Sequence, residues 1–169
     1  RAIGVEPSGN VAKVSRNKGH EVINKFMSES VADEILSKGK VSLVFGANVS
    51  CHIEEIENYF KAIAKLIDRD GVFVFEDPYL IDIVEKTSYD QIYDEHAWYF
   101  TISFINEILK SFGFRVFDCE HVDVHGGELR MYVGHTDTHP VRPVVAEWLA
   151  KEQNRKPSWK HSKKIQKNQ

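Results

Sequence analysis

The sequence VSLVFGA at residues 41–47 is followed by an amphipathic stretch and then by VFVF at residues 72–75, and this succession is the strongest indication of the fold class. Both apolar runs are short and continuous, which is typical of strands buried on both faces of a parallel sheet. Between them, isoleucine and aromatic residues recur at helical spacing over residues 53–68, and an Asp-Gly turn follows at residues 70–71. This order of strand, helix and strand predicts an α/β domain.

The segments before this unit continue the alternation. Short strands are predicted at residues 2–5 and 21–25, with helices at residues 10–18 and 31–38, the second of which Ser30 is placed to cap. Strands that alternate with helices in this way indicate a mainly parallel sheet.

The segments after this unit predict a different arrangement. Thr101 is placed to cap a helix that stops at Gly113. Two strand-like segments, residues 114–124 and 128–133, flank a Gly-Gly pair and predict an antiparallel hairpin at the end of the sheet.

Length and composition exclude several classes of protein. The chain has 169 residues, a formal charge of −3 and 42% hydrophobic residues, which is enough for one domain with a real core. No run approaches the roughly 18 apolar residues that a membrane-spanning helix needs. The two cysteines form neither a disulfide framework nor a zinc motif. We therefore expect no membrane partner and a location in the reducing cytoplasm.

Charge is distributed unevenly along the chain. A last helix is predicted at residues 144–152, and from Lys151 onward seven basic residues face a single acid, Glu152. An acidic body with a basic tail does not provide the coherent basic face of a nucleic-acid-binding domain. We expect no nucleic-acid partner and interpret the tail as a solvated segment, with binding to nucleic acid or a membrane as the alternative.

Polar residues follow the predicted strands at the edge where open α/β sheets bind ligands. An acid such as Glu6, directly after the first strand, can accept hydrogen bonds from ribose hydroxyls. It can equally be an acid at a helix N-terminus that the helix dipole stabilises. None of the ten glycines forms a G-x-G motif, so a glycine-rich cofactor loop is expected upstream of this sequence.

The segment YDQIYDEHAWYF at residues 89–100 combines aromatic and ionisable side chains. His96, flanked by Glu95 and close to Tyr93, is suited to act as a base because histidine titrates near neutral pH. The alternative is a packed aromatic loop whose polar tips reach solvent. Cys51 is expected to be a small core residue rather than a nucleophile.

Five motifs then follow one another in a fixed order. They are GVEPS at 4–8, GANVSCHI at 46–53, GVFVFEDPYL at 71–80, IYDEH at 92–96 and VHGGELR at 124–130. Together they resemble the nucleotide-sugar C-methyltransferases, which use S-adenosylmethionine (SAM) to methylate carbon 3 of a 4-keto-deoxysugar nucleotide. The resemblance implies a Rossmann-like class I SAM methyltransferase sheet without its first strand and glycine loop. It also implies a partial methyltransferase domain at residues 1–135, with residues 136–169 beginning a truncated following domain.

The resemblance further implies a cofactor and the residues that hold it. SAM would contact residues that follow the first and third strands of this chain: Glu6, Pro7, Ala47 and Asn48. Glu6 would hold the ribose. No metal is implied for this part of the chain, because the zinc of the family belongs to an N-terminal domain that this sequence does not match.

The catalytic and substrate-binding residues are implied in the same way. His96 matches the general base, with Tyr93 and Glu95 beside it, and His52 matches a second active-site histidine. The residues that would border the sugar-nucleotide pocket are Asp77, Tyr79, His125, Glu128 and Arg130.

The chemistry implied by the resemblance is an enolisation followed by methyl transfer. A neutral histidine removes the carbon 3 proton, Tyr93 or His52 donates a hydrogen bond to the ketone oxygen, and the enolate attacks the methyl group. Two alternatives stay open: a SAM methyltransferase for another small molecule, and a non-catalytic α/β fragment that serves as an interaction module. A sheet without its first strand exposes unpaired edges, which predicts a homodimer or marginal stability.

Overall fold

The computed structural model of the protein describes residues 1–155. Most of the predicted basic tail, residues 156–169, lies outside the described residues. The elements in chain order are β1 (Ile3–Val5), α1 (Gly9–Asn17), β2 (Glu21–Ile23), α2 (Glu29–Leu36), β3 (Val41–Ala47), α3 (Ile56–Leu66), β4 (Ile67–Pro78), α4 (Leu80–Lys86), α5 (Ile102–Lys110), β5 (Phe114–Val122), β6 (Glu128–His135) and α6 (Pro143–Asn154), with 3₁₀ turns at Ser50–His52 and Tyr89–Gln91. The predicted α/β class is confirmed.

The strands form two separate sheets. Strands β1 and β2 pair in parallel by themselves, and the other four pair in the order β3-β4-β6-β5. In the larger sheet β3 and β4 are parallel, whereas β6 is antiparallel to both of its neighbours. The predicted antiparallel hairpin is therefore confirmed, and it makes the larger sheet mixed, whereas the smaller sheet is parallel.

Strand β3 differs from its prediction as a strand buried on both faces. Leu43 and Phe45 are 60% and 61% exposed, while Val44 on the opposite face packs against the core. In the described part of the chain β3 has one neighbouring strand, β4, and no element covers the side chains of Leu43 and Phe45. The prediction was wrong because burial of a strand depends on its neighbours as well as on its own composition.

A groove of about 920 Å³ separates the two sheets. Its walls are the consecutive residues 1–7, which include β1, and 40–46, which include most of β3. Because side chains alternate between faces, an uninterrupted run of lining residues means that the backbone edges of the two strands face the groove. Met27, Ile35 and Leu66 provide apolar lining. The expected gap in the sheet is thus present between β1 and β3.

Local details of the elements differ from the sequence predictions in two places. The cap of α2 is Ser28 rather than Ser30, since the Ser28 side chain accepts from the Val31 backbone N–H at 3.4 Å. The predicted Asp-Gly turn at residues 70–71 is instead part of β4. There the pairing shifts by several residues between Val41 and Leu43 of β3, so that residues 68–71 bulge out of the ladder.

Helix α6 packs into the same core as the larger sheet. Val145 is buried, and Glu152 accepts the backbone N–H groups of Ile102 and Ser103 at 2.7 and 3.0 Å, which caps the start of α5. The predicted domain boundary at residue 135 stays a prediction. None of the helices within residues 1–155 is long and apolar enough to cross a membrane.

Candidate functional site

A pocket of about 230 Å³ lies where three loops meet. These loops follow β3, surround the 3₁₀ turn at Tyr89–Gln91, and connect β5 to β6. The lining residues are Asn48, His52, Gln91, Tyr93, His96 and His125. The structure therefore brings together five residues that the sequence analysis drew from three motifs: Asn48, His52, Tyr93, His96 and His125.

Hydrogen bonds define the tautomer of His96. Its Nδ1 lies 3.0 Å from the carbonyl oxygen of Gln91, which can only accept, so Nδ1 carries the proton. The Nε2 atom of the neutral ring then accepts the hydroxyl of Tyr93 at 2.8 Å. Burial lowers the pKa of His96, and the nearby His52 acts in the same direction. The neutral form of His96 is thereby favoured, with its basic nitrogen on the side of Tyr93.

His52 lies beside His96 and is oriented by the same loop. Its Nδ1 donates to the backbone carbonyl of Glu95 at 2.8 Å, and the two imidazole centroids are 4.9 Å apart. The carboxylate of Glu95 is exposed, so this residue contributes to the pocket through its backbone. The Nε2 atom of His52 makes no hydrogen bond to residues 1–155.

Asp77 anchors the turn that carries His52. It is fully buried at the end of β4, and its Oδ1 accepts the backbone N–H of Cys51 at 3.1 Å. Burial raises the pKa of Asp77 to about 6, against hydrogen bonds that lower it. Trp98 holds the same turn from the other side, because its Nε1 donates to the carbonyl of Ile53 at 2.7 Å. The structure thus places Asp77 behind the turn and not on the pocket surface.

A sulfur and two imidazole nitrogens also lie close together. Ligand atoms of Cys51, His52 and His96 are within 4.8 Å of one another. The Cys51 thiol is fully buried, and burial followed by the nearby Asp77 raises its pKa, which opposes the thiolate form that binds metals. Both ring nitrogens of His96 already have hydrogen-bond partners. This donor set therefore fits a metal poorly.

Three of the four predicted cofactor residues line the groove between the sheets. Glu6, Pro7 and Asn48 all contact it, while Ala47 ends β3 next to Asn48. One carboxylate oxygen of Glu6 accepts the backbone N–H of Ser8 at 2.7 Å, just before α1. Its other oxygen makes no hydrogen bond to the described residues. The two interpretations of Glu6 are therefore compatible, since one oxygen serves the turn and the other is available to a ribose hydroxyl.

The pocket and the groove meet at two residues. Asn48 and His52 line both cavities. Asn48 has a left-handed backbone (φ 53°), and its N–H donates to the carbonyl of Glu76 at 2.7 Å, which turns the chain away from β3 at this junction. A ligand in the groove and a ligand in the pocket would approach each other there.

The predicted substrate residues occupy different environments. His125 lines the pocket, with a left-handed backbone. Arg130 lies on β6 and donates from Nε to Glu76 at 2.6 Å, and Glu128 is fully buried near it. The hydroxyl of Tyr79 donates to Glu152 of α6 at 3.1 Å. The structure therefore does not bring Tyr79 to the pocket.

Gln91 is a pocket residue that sequence reasoning missed. Its carbonyl accepts hydrogen bonds from His96 and from the hydroxyl of Tyr99. Because the contribution comes from the backbone, no side-chain pattern could have identified it.

Comparisons with known proteins identify the family of the chain. Residues 1–118 match a family model described as a methyltransferase domain. The chain is 35% identical over 156 residues to the C-methyltransferase NovU of Streptomyces niveus. This alignment covers 91% of this chain and 37% of NovU. The chain therefore spans little more than a third of that relative.

Solved structures show the same fold at low sequence identity. A SAM-dependent methyltransferase from Anabaena variabilis has a TM-score of 0.60 at 12% identity, covering 80% of this chain and 68% of that one. The magnesium protoporphyrin IX methyltransferase ChlM of Synechocystis with bound SAH has a TM-score of 0.56 at 15% identity, covering 79% and 63%. The chain belongs to the methyltransferase-domain family, which confirms the SAM-dependent methyltransferase fold and cofactor predicted from its motifs.

Proposed function

We propose that this chain is part of a SAM-dependent C-methyltransferase that methylates carbon 3 of a 4-keto-deoxysugar nucleotide. The observation that carries the proposal is the junction of the two cavities at Asn48 and His52, with the histidine pair on the pocket side. The similarity to NovU, whose name is C-methyltransferase, supports transfer to carbon.

The hydrogen bonds of His96 suggest how the proton of carbon 3 is removed. In the structure Tyr93 donates its hydroxyl proton to His96 Nε2. A 4-keto sugar in the pocket offers Tyr93 a second acceptor, the ketone oxygen. If the hydroxyl turns to that oxygen, Nε2 is freed and can take the carbon 3 proton. The C–H bond breaks, its electron pair forms the enolate, and Tyr93 stabilises the oxygen where the negative charge develops.

The groove provides the place for the methyl donor. Bound SAM supplies an electrophilic methyl group. The free oxygen of Glu6 would accept a ribose hydroxyl, while Pro7 and Ala47 flank the cofactor and Asn48 faces both ligands. His52, fixed through Nδ1, keeps the sugar next to the groove. Holding the two reactants in contact accounts for much of the rate that such a site supplies.

A homodimer through the exposed sheet edge is the partner that we propose besides the sugar nucleotide. The unpaired edges of β1 and β3 and the exposed side chains of Leu43 and Phe45 support it, because such edges pair readily with another strand. Sedimentation of the chain would test this, and a monomer at all concentrations would contradict it. A cytoplasmic location stays a prediction.

The reaction is tested by incubating the chain with SAM and a panel of 4-keto-deoxysugar nucleotides. We expect a product heavier by one methylene, with carbon 3 as the methylated position in its NMR spectrum. The matched control is the same panel reduced at carbon 4, which lacks the ketone that acidifies the proton and should not react. Methylation of the reduced sugars, or methylation at oxygen or nitrogen, would overturn the proposal.

A further inference from the structure

Glu128 is a buried acid that forms no ion pair within residues 1–155. It begins β6, in the interior of the four-stranded sheet, and its side chain is fully buried. Neither carboxylate oxygen has a hydrogen-bond partner of good geometry among residues 1–155. An ionised carboxylate in such a place would be costly, because burial removes its hydration.

The neighbouring acid Glu76 makes ionisation of Glu128 still less favourable. In the antiparallel register Glu76 of β4 lies opposite Arg130, two residues beyond Glu128, so all three side chains are on one face of the sheet. The carboxyl groups of Glu76 and Glu128 are close enough to interact. Arg130 donates to Glu76 at 2.6 Å and neutralises that charge, which leaves Glu128 as the member of the pair that keeps a proton.

The other side of Glu128 faces the functional site. The side chain of Asn48 lies close to the Glu128 carboxyl group without a hydrogen bond of good geometry, and His125 is near enough to affect it electrostatically. Both residues line the pocket, and Asn48 also lines the groove. Glu128 thus lies next to Asn48, one of the two residues at which the cavities meet.

We propose that Glu128 is a protonated carboxylic acid that positions the Asn48 side chain at the cavity junction, and that its ionisation releases Asn48. In the protonated form its O–H donates to Glu76 and its carbonyl oxygen accepts from the Asn48 amide. Loss of the proton places two carboxylates against each other and disrupts this chain of hydrogen bonds. The role of Asn48 as a cofactor contact rests on the proposed function, whereas the protonation of Glu128 does not.

The groups around Glu128 account for its titration. Burial raises its pKa to about 7, Asn48 opposes this shift, and Glu76 reinforces it. Arg130 acts through Glu76, and His125 lowers the pKa of Glu128 from the β5–β6 turn. The thiol of Cys51 is also within electrostatic range and stays neutral because its own pKa is raised, and Asp82 and Lys86 lie beside the neighbouring Gly127.

The test compares Glu128→Gln with Glu128→Ala. Glutamine copies the protonated acid, since its amide can donate to Glu76 and its oxygen can accept from Asn48. Calorimetric titration of the chain with SAM should show that wild-type affinity falls as pH rises through about 7, by up to about tenfold per pH unit. Glu128→Gln should keep the low-pH affinity across the range, and Glu128→Ala should bind weakly at every pH. The matched control is Glu120→Gln, which neutralises an exposed acid bonded to the same Arg130.

Two results would overturn the proposal. One is a Glu128→Gln variant that binds SAM as weakly as Glu128→Ala, and the other is a Glu128→Gln variant that keeps the wild-type pH dependence. Carbon-13 NMR of the Glu128 carboxyl group tests the proton without SAM. Titration near pH 7 supports the proposal even if SAM does not bind, in which case the proposed function fails separately, and titration near the ordinary value of glutamate contradicts it.

Discussion

The two sides of the groove differ in how completely they are built. On one side, β4 and β6 each have two neighbouring strands, and Phe73 and Phe75 are fully buried beneath α3 and α5. On the other side, β1 and β2 are three residues each and pair only with one another within residues 1–155. The residues proposed for proton removal belong to the first side, and the proposed ribose acid belongs to the second.

This difference separates the two halves of the proposed reaction. The histidine pair is held by backbone carbonyls of the 89–96 loop and by a turn anchored on the buried Asp77, all attached to the four-stranded sheet. Glu6 is attached to β1, whose second edge is open to the groove. Proton removal should therefore depend little on the groove, whereas cofactor binding should respond to any change in it.

The largest expected effect is the loss of turnover in His96→Gln. Glutamine cannot take the carbon 3 proton, so methyl transfer should fall by about 10²–10⁴-fold. SAM affinity should be unchanged, because His96 lines the pocket and not the groove. The control is His20→Gln, which changes an exposed histidine between α1 and β2. An equal loss of turnover and SAM affinity in His96→Gln would contradict the separation of proton removal from cofactor binding.

Two variants, one in the core and one at the open edge of β3, test this difference through the free energy of unfolding. Phe75→Ala removes a fully buried ring from the complete side and should lower the free energy of unfolding by about 3–5 kcal/mol. Leu43→Ala shortens a side chain on the open edge that is 60% exposed in the single chain, and in the monomer it should change the free energy of unfolding by no more than about 0.5 kcal/mol. Chemical denaturation measures both. Similar losses would mean that the open edge is covered in solution.

The pH dependence of the free energy of unfolding should reveal the titration of Asp77. Burial raises its folded pKa from 3.8 to about 6, so the folded state holds a proton that the unfolded state has lost in this range. The resulting stability is complete below pH 3.8 and is lost as pH rises to about 6, with a size of about 2–3 kcal/mol. Asp77→Asn, which still accepts from Cys51, should lack this component. Melting temperatures of both proteins between pH 4 and 7 measure this loss of stability. Parallel pH profiles of the wild type and Asp77→Asn would contradict the predicted contribution of Asp77.

A modest effect is expected for Glu6→Ala on SAM binding. Loss of a hydrogen bond from ribose to a charged acceptor should weaken binding by about 1–3 kcal/mol. Glu29→Ala, in the first turn of α2, is a matched control because it also changes an acid near a helix N-terminus. Calorimetry with SAM measures both variants. If Glu6→Ala binds like the wild type, Glu6 serves only the Ser8 turn.

The sequence was most informative where structure is determined locally. Apolar runs predicted β3 and the buried part of β4, and the position directly after the first strand predicted that Glu6 lies at the ligand-binding edge. The exposure of Leu43 and the bulge at residues 68–71 depend on which strands lie alongside, which composition does not encode. The hydrogen bonds to the carbonyl groups of Gln91 and Glu95 involve the backbone and leave no pattern of side chains.

The burial of Glu128 had no sequence signal for a related reason. A glutamate at the start of a strand is usually solvated. Its protonated form becomes favourable only because the β4–β6 register brings Glu76 and Arg130 to the same face. Such a pairing is a property of the folded sheet, so the acid pair could be found only in the structure.

Hydrogen exchange at carbon 3 of a 4-keto-deoxysugar nucleotide in heavy water, without SAM, shows whether the chain removes the carbon 3 proton by itself. We expect the chain to catalyse loss of the carbon 3 proton signal in the NMR spectrum, because His96 and Tyr93 are held by the complete side of the sheet. The exchange should disappear in His96→Gln and persist in Glu6→Ala. A folded chain that produces no exchange, or a His96→Gln variant that exchanges as fast as the wild type, would contradict this expectation.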